Sequence, residues 1–101
     1  MAGYVLSPAA RRDIEQIWNY TAQQWGRAQA ERYLLAIRDA CQGLAENRLP
    51  SRMIDDIRQG YRQAPVGVHL VFFRYSPPGL PAGLVDVVRI LHRRMDIARH
   101  L

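Results

Sequence analysis

Residues 68–75 have the sequence VHLVFFRY, and this stretch decides the fold class of the chain. It is rich in β-branched and aromatic residues, which favour a β-strand. Both alternating sets of its side chains are mostly apolar, a pattern typical of a central strand that is covered on each face. We therefore expect a buried central strand whose sheet partners and covering layers come from the rest of the chain.

The flanking segments predict the strands that pair with this one. Residues 57–64 form a candidate strand, and residues 65–67 (Pro-Val-Gly) have the composition of a turn, which together predict a β-hairpin. Residues 76–83 contain three prolines and two glycines, so we expect a long exposed turn. Residues 84–91 are apolar on both faces apart from Asp86 and Arg89, which predicts a last strand that is central or well covered.

Two amphipathic helices are predicted upstream, after a short edge strand at residues 4–6. Ser7 and Pro8 supply an N-cap and a first-turn proline, and Gly26 is placed to end the first helix. A second helix runs from near Arg27 to about Asn47. Apolar residues recur at steps of three and four in both, at Ile14, Ile17, Trp18, Thr21 and Trp25 and then at Tyr33, Leu34, Ile37, Cys41 and Leu44. The short connection predicts an antiparallel helical hairpin that packs on the sheet.

These elements predict one α+β domain over residues 1–101, in the order β-α-α-β-β-β, with an antiparallel sheet and the helical hairpin on one face. Residues 49–56 are predicted to be a loop, and a short helical tail, capped by Asp96, closes the chain at Leu101. The second face of the sheet is left open by this arrangement. Since so small a domain gains little from a bare apolar face, we expect a groove there for another protein's apolar helix.

Composition narrows the classes of function. The formal net charge is +5, and all 14 basic residues are arginines, which excludes Schiff-base chemistry on lysine and favours an anionic partner. Cys41 is the only cysteine, so we expect a buried thiol and no disulfide. The chain has neither a long apolar span nor a secretion signal, which predicts a cytoplasmic protein without a membrane partner.

Three motifs resemble the ParE branch of the RelE/ParE superfamily of toxins. They are residues 4–14 (YVLSPAARRDI), residues 60–75 with Gly-Tyr-Arg followed by PVGVHLVFFRY, and residues 88–96 (VRILHRRMD). The resemblance covers nearly the whole chain. It implies the RelE/ParE-like fold and the toxin of a plasmid-stabilising type II toxin-antitoxin module, which inhibits DNA gyrase by protein-protein binding and blocks replication. It also implies a ParD-like antitoxin that forms a hetero-oligomer with the toxin.

The superfamily also implies an alternative, a metal-free ribosome-dependent endonuclease of the RelE type. Such an enzyme needs a proton donor and acceptor, for which His92 is the candidate, and cations such as Arg62, Arg74 and Arg89. No tyrosine or acid accompanies His92 after the last strand, and Arg89 has a plain structural role available as a partner of Asp86 or of an antitoxin carboxylate. We therefore expect a non-enzymatic binder without catalytic residues, cofactor or metal, although a family relative without remaining activity stays open.

Two sets of residues are predicted to form binding surfaces, and neither is expected to bind nucleic acid sequence-specifically. An amphipathic antitoxin helix with acidic residues is expected to bind aromatic, apolar and arginine residues, namely Trp18, Tyr20, Trp25, Tyr33, Leu49, Met53, Arg62, Phe73 and Arg74. The gyrase target is expected to contact a basic C-terminal region, namely Arg89, His92, Arg93, Arg94, Met95 and Arg99. The plain alternative for the second set is a solvated basic tail.

Overall fold

The computed structural model describes residues 3–75 and 83–101 as a mixed sheet with two long helices on one face. The elements are β1 (Gly3–Leu6), α1 (Pro8–Trp25), α2 (Arg27–Ala45), β2 (Arg52–Met53), β3 (Arg62–Val66), β4 (His69–Tyr75), β5 (Leu84–His92) and α3 (Ile97–His100). The strand order is β1-β5-β4-β3-β2. The predicted turn at residues 76–83 lies, up to residue 82, outside the described residues.

The α+β class, the helical hairpin and the two central strands are confirmed. β4 and β5 lie in the middle of the sheet, and their side chains Phe72, Phe73 and Val87 are fully buried. α1 begins where predicted, because the Ala10 amide donates a 3.0 Å hydrogen bond to Ser7 Oγ. Gly26 ends it with φ +91°, a value that L side chains rarely adopt. None of the helices within the described ranges is long and apolar enough to cross a bilayer.

The strand predictions need three corrections. β1 pairs with β5 in parallel, so the sheet is mixed instead of antiparallel. Residues 52–53, predicted to be loop, pair with β3, and β3 itself spans residues 62–66 instead of 57–64. Residues 54–61 form tight turns instead, with the Ile54 amide donating to the Tyr61 carbonyl at 3.0 Å. Pro65 lies within β3 because β2 pairs only with Arg62 and Gln63, so the missing amide of the proline falls on an unpaired side.

The expectation of an open second sheet face is wrong. Ile54 from the turn segment packs there against Phe72 and Leu91, and all three are at most 2% exposed. Tyr61 and the tail residues Ile97 and Leu101 pack around this cluster. The chain thus folds its own turn segment and tail over the face, because burying these apolar side chains is worth about 2 kcal/mol each.

The buried face of α1 is rotated relative to the prediction. Its buried residues are Ala10, Asp13, Ile17 and Thr21, whereas Trp25 is 73% exposed. Together with α2 and the inner sides of β4 and β5 they enclose the larger core cluster, which includes Ile37, Cys41, Leu44, Val71, Phe73, Val85, Val87 and Ile90. The Asp13 carboxylate therefore occupies a core-facing position, which its ion pair with Arg89 explains.

Candidate protein-binding groove

A groove of about 830 Å³ opens between the hairpin and the sheet, beside the junction of β4 with β5. We call it the hairpin groove. α1 contributes Gln16, Ile17, Tyr20, Thr21 and Trp25, and α2 contributes Gln29, Arg32 and Tyr33. The sheet side contributes Val68, His69, Arg89, Ile90, Leu91 and His92, with Asp13 and Met95 completing the lining.

The rim of the hairpin groove carries large apolar side chains that the chain itself leaves uncovered. Tyr20 is 64% exposed and Trp25 is 73% exposed, and Val68 and Met95 are exposed to a smaller extent. Buried Ile17 and Ile90 lie among the lining residues as well. Exposed aromatic side chains next to apolar lining are typical of protein-binding surfaces.

An ion pair between Asp13 and Arg89 forms part of the lining. Arg89 Nε donates to Asp13 Oδ2 at 2.8 Å and Nη2 donates to Oδ1 at 2.9 Å, a bidentate arrangement. The Ile90 amide also donates to Asp13 Oδ2, at 2.9 Å. The carboxylate raises the pKa of Arg89, so the guanidinium remains charged and committed to this contact.

A second polar cluster joins α2 to the sheet. The Tyr33 hydroxyl lies 2.6 Å from His69 Nδ1 and 3.1 Å from the Val66 carbonyl, and it accepts a hydrogen bond from the Val68 amide at 3.2 Å. His69 faces His92 across β4 and β5, and their rings meet edge to face with centroids 5.4 Å apart. Burial and the neighbouring His92 lower the pKa of His69, so its ring is neutral at neutral pH.

The predicted antitoxin-binding residues do not form one surface. Tyr20, Trp25 and Tyr33 meet in the hairpin groove, whereas the other six residues are absent from its lining. Trp18 is half-buried, and Leu49 and Met53 are exposed outside the groove. Phe73 is fully buried in the core, so its prediction as a contact residue is wrong: its side chain points to the helices instead of to solvent.

Two predicted arginine contacts are already engaged within the chain. Arg62 donates to the Ser51 hydroxyl at 2.7 Å and to the Ser51 carbonyl at 3.0 Å. Arg74 donates to Asp86 Oδ2 at 3.0 Å. Asp86 is the residue that we expected to pair with Arg89. The proposed Arg89–Asp86 pair is therefore wrong, because Asp86 faces Arg74 directly across the strands.

The predicted target-binding residues split between the groove and the tail. Arg89, His92 and Met95 line the hairpin groove, so the structure brings them together with the aromatic residues of the other set. Arg93, Arg94 and Arg99 are exposed, and Arg99 is only loosely placed, 4.0 Å from Asp96 Oδ2. Asp96 occupies the N-cap position of α3, but its side chain makes no capping hydrogen bond.

Several groove residues were not predicted, namely Asp13, Gln16, Gln29, Arg32 and His69. One signal for Asp13 was available, since it stands at helical spacing between Ala10 and Ile17 on the buried face. A carboxylate in such a position requires a cationic or hydrogen-bonding partner. His69 gave no such signal, because its role depends on the strand register that aligns it with His92.

Comparison with known sequences shows which protein family the chain matches. Residues 4–97 match the family described as ParE toxin of type II toxin-antitoxin system, parDE. Toxin ParE1 of Mycobacterium tuberculosis is 44% identical over 98 residues, which cover 97% of this chain and 96% of that protein. Toxin ParE1 of Caulobacter vibrioides is 33% identical over 101 residues and covers 100% of this chain and 99% of its own length.

Solved structures share the fold. A chain of the chromosomal ParDE toxin-antitoxin system from P. aeruginosa superposes with a TM-score of 0.71 at 17% identity, covering 91% of this chain and 95% of that chain. A chain of the RelBE2 toxin-antitoxin complex from Mycobacterium tuberculosis gives a TM-score of 0.60 at 18% identity, covering 91% and 98%. At such identities the likeness concerns the fold alone.

Proposed function

Because the chain belongs to the ParE toxin family of type II toxin-antitoxin systems, we propose that it inhibits DNA gyrase by direct binding and that an antitoxin silences it from the hairpin groove. The observation that carries this proposal is the uncovered aromatic rim of Tyr20 and Trp25. Core clusters cover both faces of the sheet, and Tyr20 and Trp25 are more exposed than the large apolar side chains outside the groove, such as Leu35 and Met53. The groove is therefore the place where a partner gains most by covering the surface.

An amphipathic helix with acidic residues suits this groove. Its apolar side would cover Tyr20, Trp25 and Met95, and its acidic residues would face Arg32. Arg32 donates two hydrogen bonds to Gln29 Oε1, at 3.2 and 2.8 Å. Among the described residues no carboxylate forms an ion pair with it. A ParD-like segment that folds on binding would have this chemistry.

The target surface is proposed to begin at the groove and continue onto the tail. Met95 lines the groove, and the neighbouring Arg93 and Arg94 are exposed without an acidic partner among the described residues. A basic surface of this kind favours an acidic protein segment. An antitoxin seated in the groove would cover Met95 and so obstruct part of this surface.

The contacts of the candidate nuclease residues favour binding over RNA cleavage. Arg62, Arg74 and Arg89 are held by Ser51, Asp86 and Asp13, so they are not poised to stabilise a phosphorane. The Arg94 amide donates to His92 Nδ1 at 3.1 Å. That ring nitrogen is therefore already engaged by the backbone of the chain.

Two parallel reactions test the target. Purified toxin is added to a gyrase supercoiling reaction and to a cell-free translation reaction with primer extension on the message. We expect the wild-type toxin to block supercoiling and to produce no codon-phased cuts in the message. An Arg93→Gln, Arg94→Gln double variant should block supercoiling less strongly. If the toxin leaves supercoiling intact and instead produces codon-phased cuts that are absent with His92→Ala, gyrase inhibition is wrong and the nuclease alternative is supported.

The groove assignment is tested with the toxin's cognate antitoxin. Tyr20→Ala and Trp25→Ala should each weaken its binding by about tenfold or more in calorimetry, as expected for aromatic interface anchors. Leu35→Ala is the matched control, since Leu35 is 53% exposed on α2 but does not line the groove. Equal affinities for all three variants would place the antitoxin elsewhere.

A further inference from the structure

The C-terminal part of β5 has an open backbone edge in the hairpin groove. β1 pairs with β5 only from Leu84 to Val87, and the chain then turns away into α1. Residues 89–92 all line the groove, although Ile90 packs in the larger core cluster and Leu91 in the second-face cluster. Side chains of successive strand residues point to opposite faces, so the feature that these residues present together is their backbone edge.

Hydrogen bonds on either side of β5 show which backbone groups point to this edge. The Arg93 amide donates to the Val68 carbonyl at 3.0 Å, so residue 93 is directed towards β4. Successive residues in an antiparallel ladder direct their N–H and C=O groups to opposite edges, so those of His92 and Ile90 point away from β4. The 2.9 Å bond from the Ile90 amide to Asp13 Oδ2 on α1 agrees with this direction.

Two neighbouring groups on this edge have no hydrogen-bond partner within the described part of the chain. The Ile90 amide is bound to Asp13, and the His92 carbonyl accepts from the Met95 amide at 2.9 Å. Between them lie the Ile90 carbonyl and the His92 amide, to which no described residue bonds. Ile90 is 2% exposed, so its carbonyl has little contact with water. A backbone acceptor in such a place gains from a partner.

We propose that an extended segment of the antitoxin adds to this open edge, with a backbone N–H donating to the Ile90 carbonyl and a backbone C=O accepting from the His92 amide. The inference rests on the proposed placement of the antitoxin in the hairpin groove, and it adds an extended segment to the helix proposed for the rim. The two groups lie two residues apart on one edge. That is the spacing at which a neighbouring strand offers a donor and an acceptor, whichever way it runs.

The backbone of a helix cannot supply both groups at this point. A helix has free N–H groups at one end and free C=O groups at the other, and its remaining groups are paired internally. An extended segment has both along its whole length, and a disordered antitoxin segment can adopt this form on binding. Its apolar side chains would meet Ile17 and Met95 of the lining. An uncharged backbone suits the site, because the adjacent Asp13 and Arg89 already neutralise each other.

NMR of the isotope-labelled toxin, free and bound to its labelled cognate antitoxin, tests the proposal. The His92 amide should exchange rapidly with D2O in the free toxin and at least about a hundredfold more slowly in the complex. The Arg93 amide is the matched control: it already donates to Val68 and should exchange slowly in both states. In the complex, a scalar coupling across the hydrogen bond should join the His92 amide nitrogen to a backbone carbonyl carbon of the antitoxin.

Two substitutions at one position separate the amide from the imidazole. His92→Ala removes only the ring, whereas His92→Pro also removes the backbone N–H. His92→Pro should therefore bind the antitoxin at least about tenfold more weakly than His92→Ala in calorimetry, because a partner carbonyl is left unpaired. The amide has no partner in the free chain as described, and a strand edge tolerates proline, so circular dichroism should show both variants folded. The coupling in the wild-type complex decides the question even if the proline variant is unfolded.

Several results would overturn the proposal. A His92 amide that is protected in the free toxin at every concentration would mean that the edge is already closed, and protection that grows with toxin concentration would assign the edge to a second copy of the chain. Protection by gyrase and not by the antitoxin would assign it to the target. In the complex, coupling to a side-chain carbonyl, or none, would exclude a strand.

Failure of this inference is distinguishable from failure of the groove assignment. If Tyr20→Ala and Trp25→Ala weaken antitoxin binding while the His92 coupling is absent, the antitoxin occupies the groove without pairing with β5. If both variants bind as tightly as wild type, the groove assignment itself is wrong.

Discussion

Asp13 and Arg89, 76 residues apart in the chain, form a bidentate ion pair that joins α1 to an irregularity in β5. Phe72 on β4 pairs with Arg89 and Phe73 pairs with Val87, so Val88 is an extra residue on β5, a β-bulge. Asp13 accepts the Ile90 amide beyond the bulge, and the Ser7 hydroxyl donates to the Val88 carbonyl at 2.7 Å. The N-terminal Ser-Pro motif and the last-strand motif are therefore two halves of one structural site.

Asp13→Ala should lower the free energy of unfolding by about 3 kcal/mol, because it leaves the Arg89 guanidinium unpaired and the Ile90 amide unsatisfied. Asp13→Asn should have a smaller effect, since the amide oxygen still accepts from Ile90. Urea denaturation monitored by tryptophan fluorescence measures both. Arg99→Gln is the control at an exposed ion pair and should change the value by less than about 1 kcal/mol. Equal losses for the Asn and Ala variants would mean that the Ile90 contact adds nothing.

Gly67→Ala should destabilise the protein more than Gly60→Ala. Both glycines have positive φ, +56° and +82°, so alanine introduces backbone strain of about 1 kcal/mol at each. A Cβ at Gly67 would also come within 2.6 Å of the Tyr33 ring and hydroxyl, whereas Gly60 has open space. The hydrogen bonds of Tyr33 hold its ring against moving away. Thermal unfolding of the two variants measures the difference, and equal melting temperatures would show that Tyr33 moves freely.

Ile54→Ala should cost about 3 kcal/mol of stability, because Ile54 is 1% exposed at the centre of the second-face cluster. Ile57→Ala is the matched control, since Ile57 lies three residues away in the same turn segment and is 39% exposed. Chemical denaturation of both variants checks whether this segment seals the sheet. A small effect at Ile54 would mean that the second face is not closed by the chain itself.

Acid should weaken the fold through His69. Because burial and His92 lower the pKa of His69 in the folded chain, the unfolded chain binds its proton first as the pH falls below about 6.5. The free energy of unfolding therefore rises with pH across that window and levels off above it. Melting temperatures at pH 7.5 and 5.5 measure this, and His69→Gln should reduce the difference. A wild-type protein that is more stable at pH 5.5 would contradict the sign.

Cys41 should resist thiol reagents in the native state. It is buried, and burial raises its pKa to about 11, so the reactive thiolate is scarce at pH 8. We expect labelling by Ellman's reagent to be at least about 200-fold slower than that of free cysteine, from the thiolate fractions at the two pKa values. Labelling in concentrated urea is the positive control. Rapid reaction without denaturant would show that α2 opens readily from the core.

Local patterns were sufficient to predict most of the elements. The alternating apolar residues of 68–75 predicted a central strand, and Ser7, Pro8 and Gly26 predicted both ends of α1. These signals act between neighbouring residues, through strand propensity, capping and backbone restriction. They need no knowledge of the rest of the molecule.

Contacts between distant residues required the folded chain. Periodicity placed Asp13 at helical spacing among apolar residues, but its partner depends on a bulge that shifts β5 by one residue and turns Arg89 towards α1. The same register aligns His69 with His92, and the rotation of α1 leaves Trp25 in solvent at the groove. A sequence pattern records the preference of each segment for its own conformation and for burial. The faces that meet, and the side chains left over to bind a partner, depend on how those segments pack against one another.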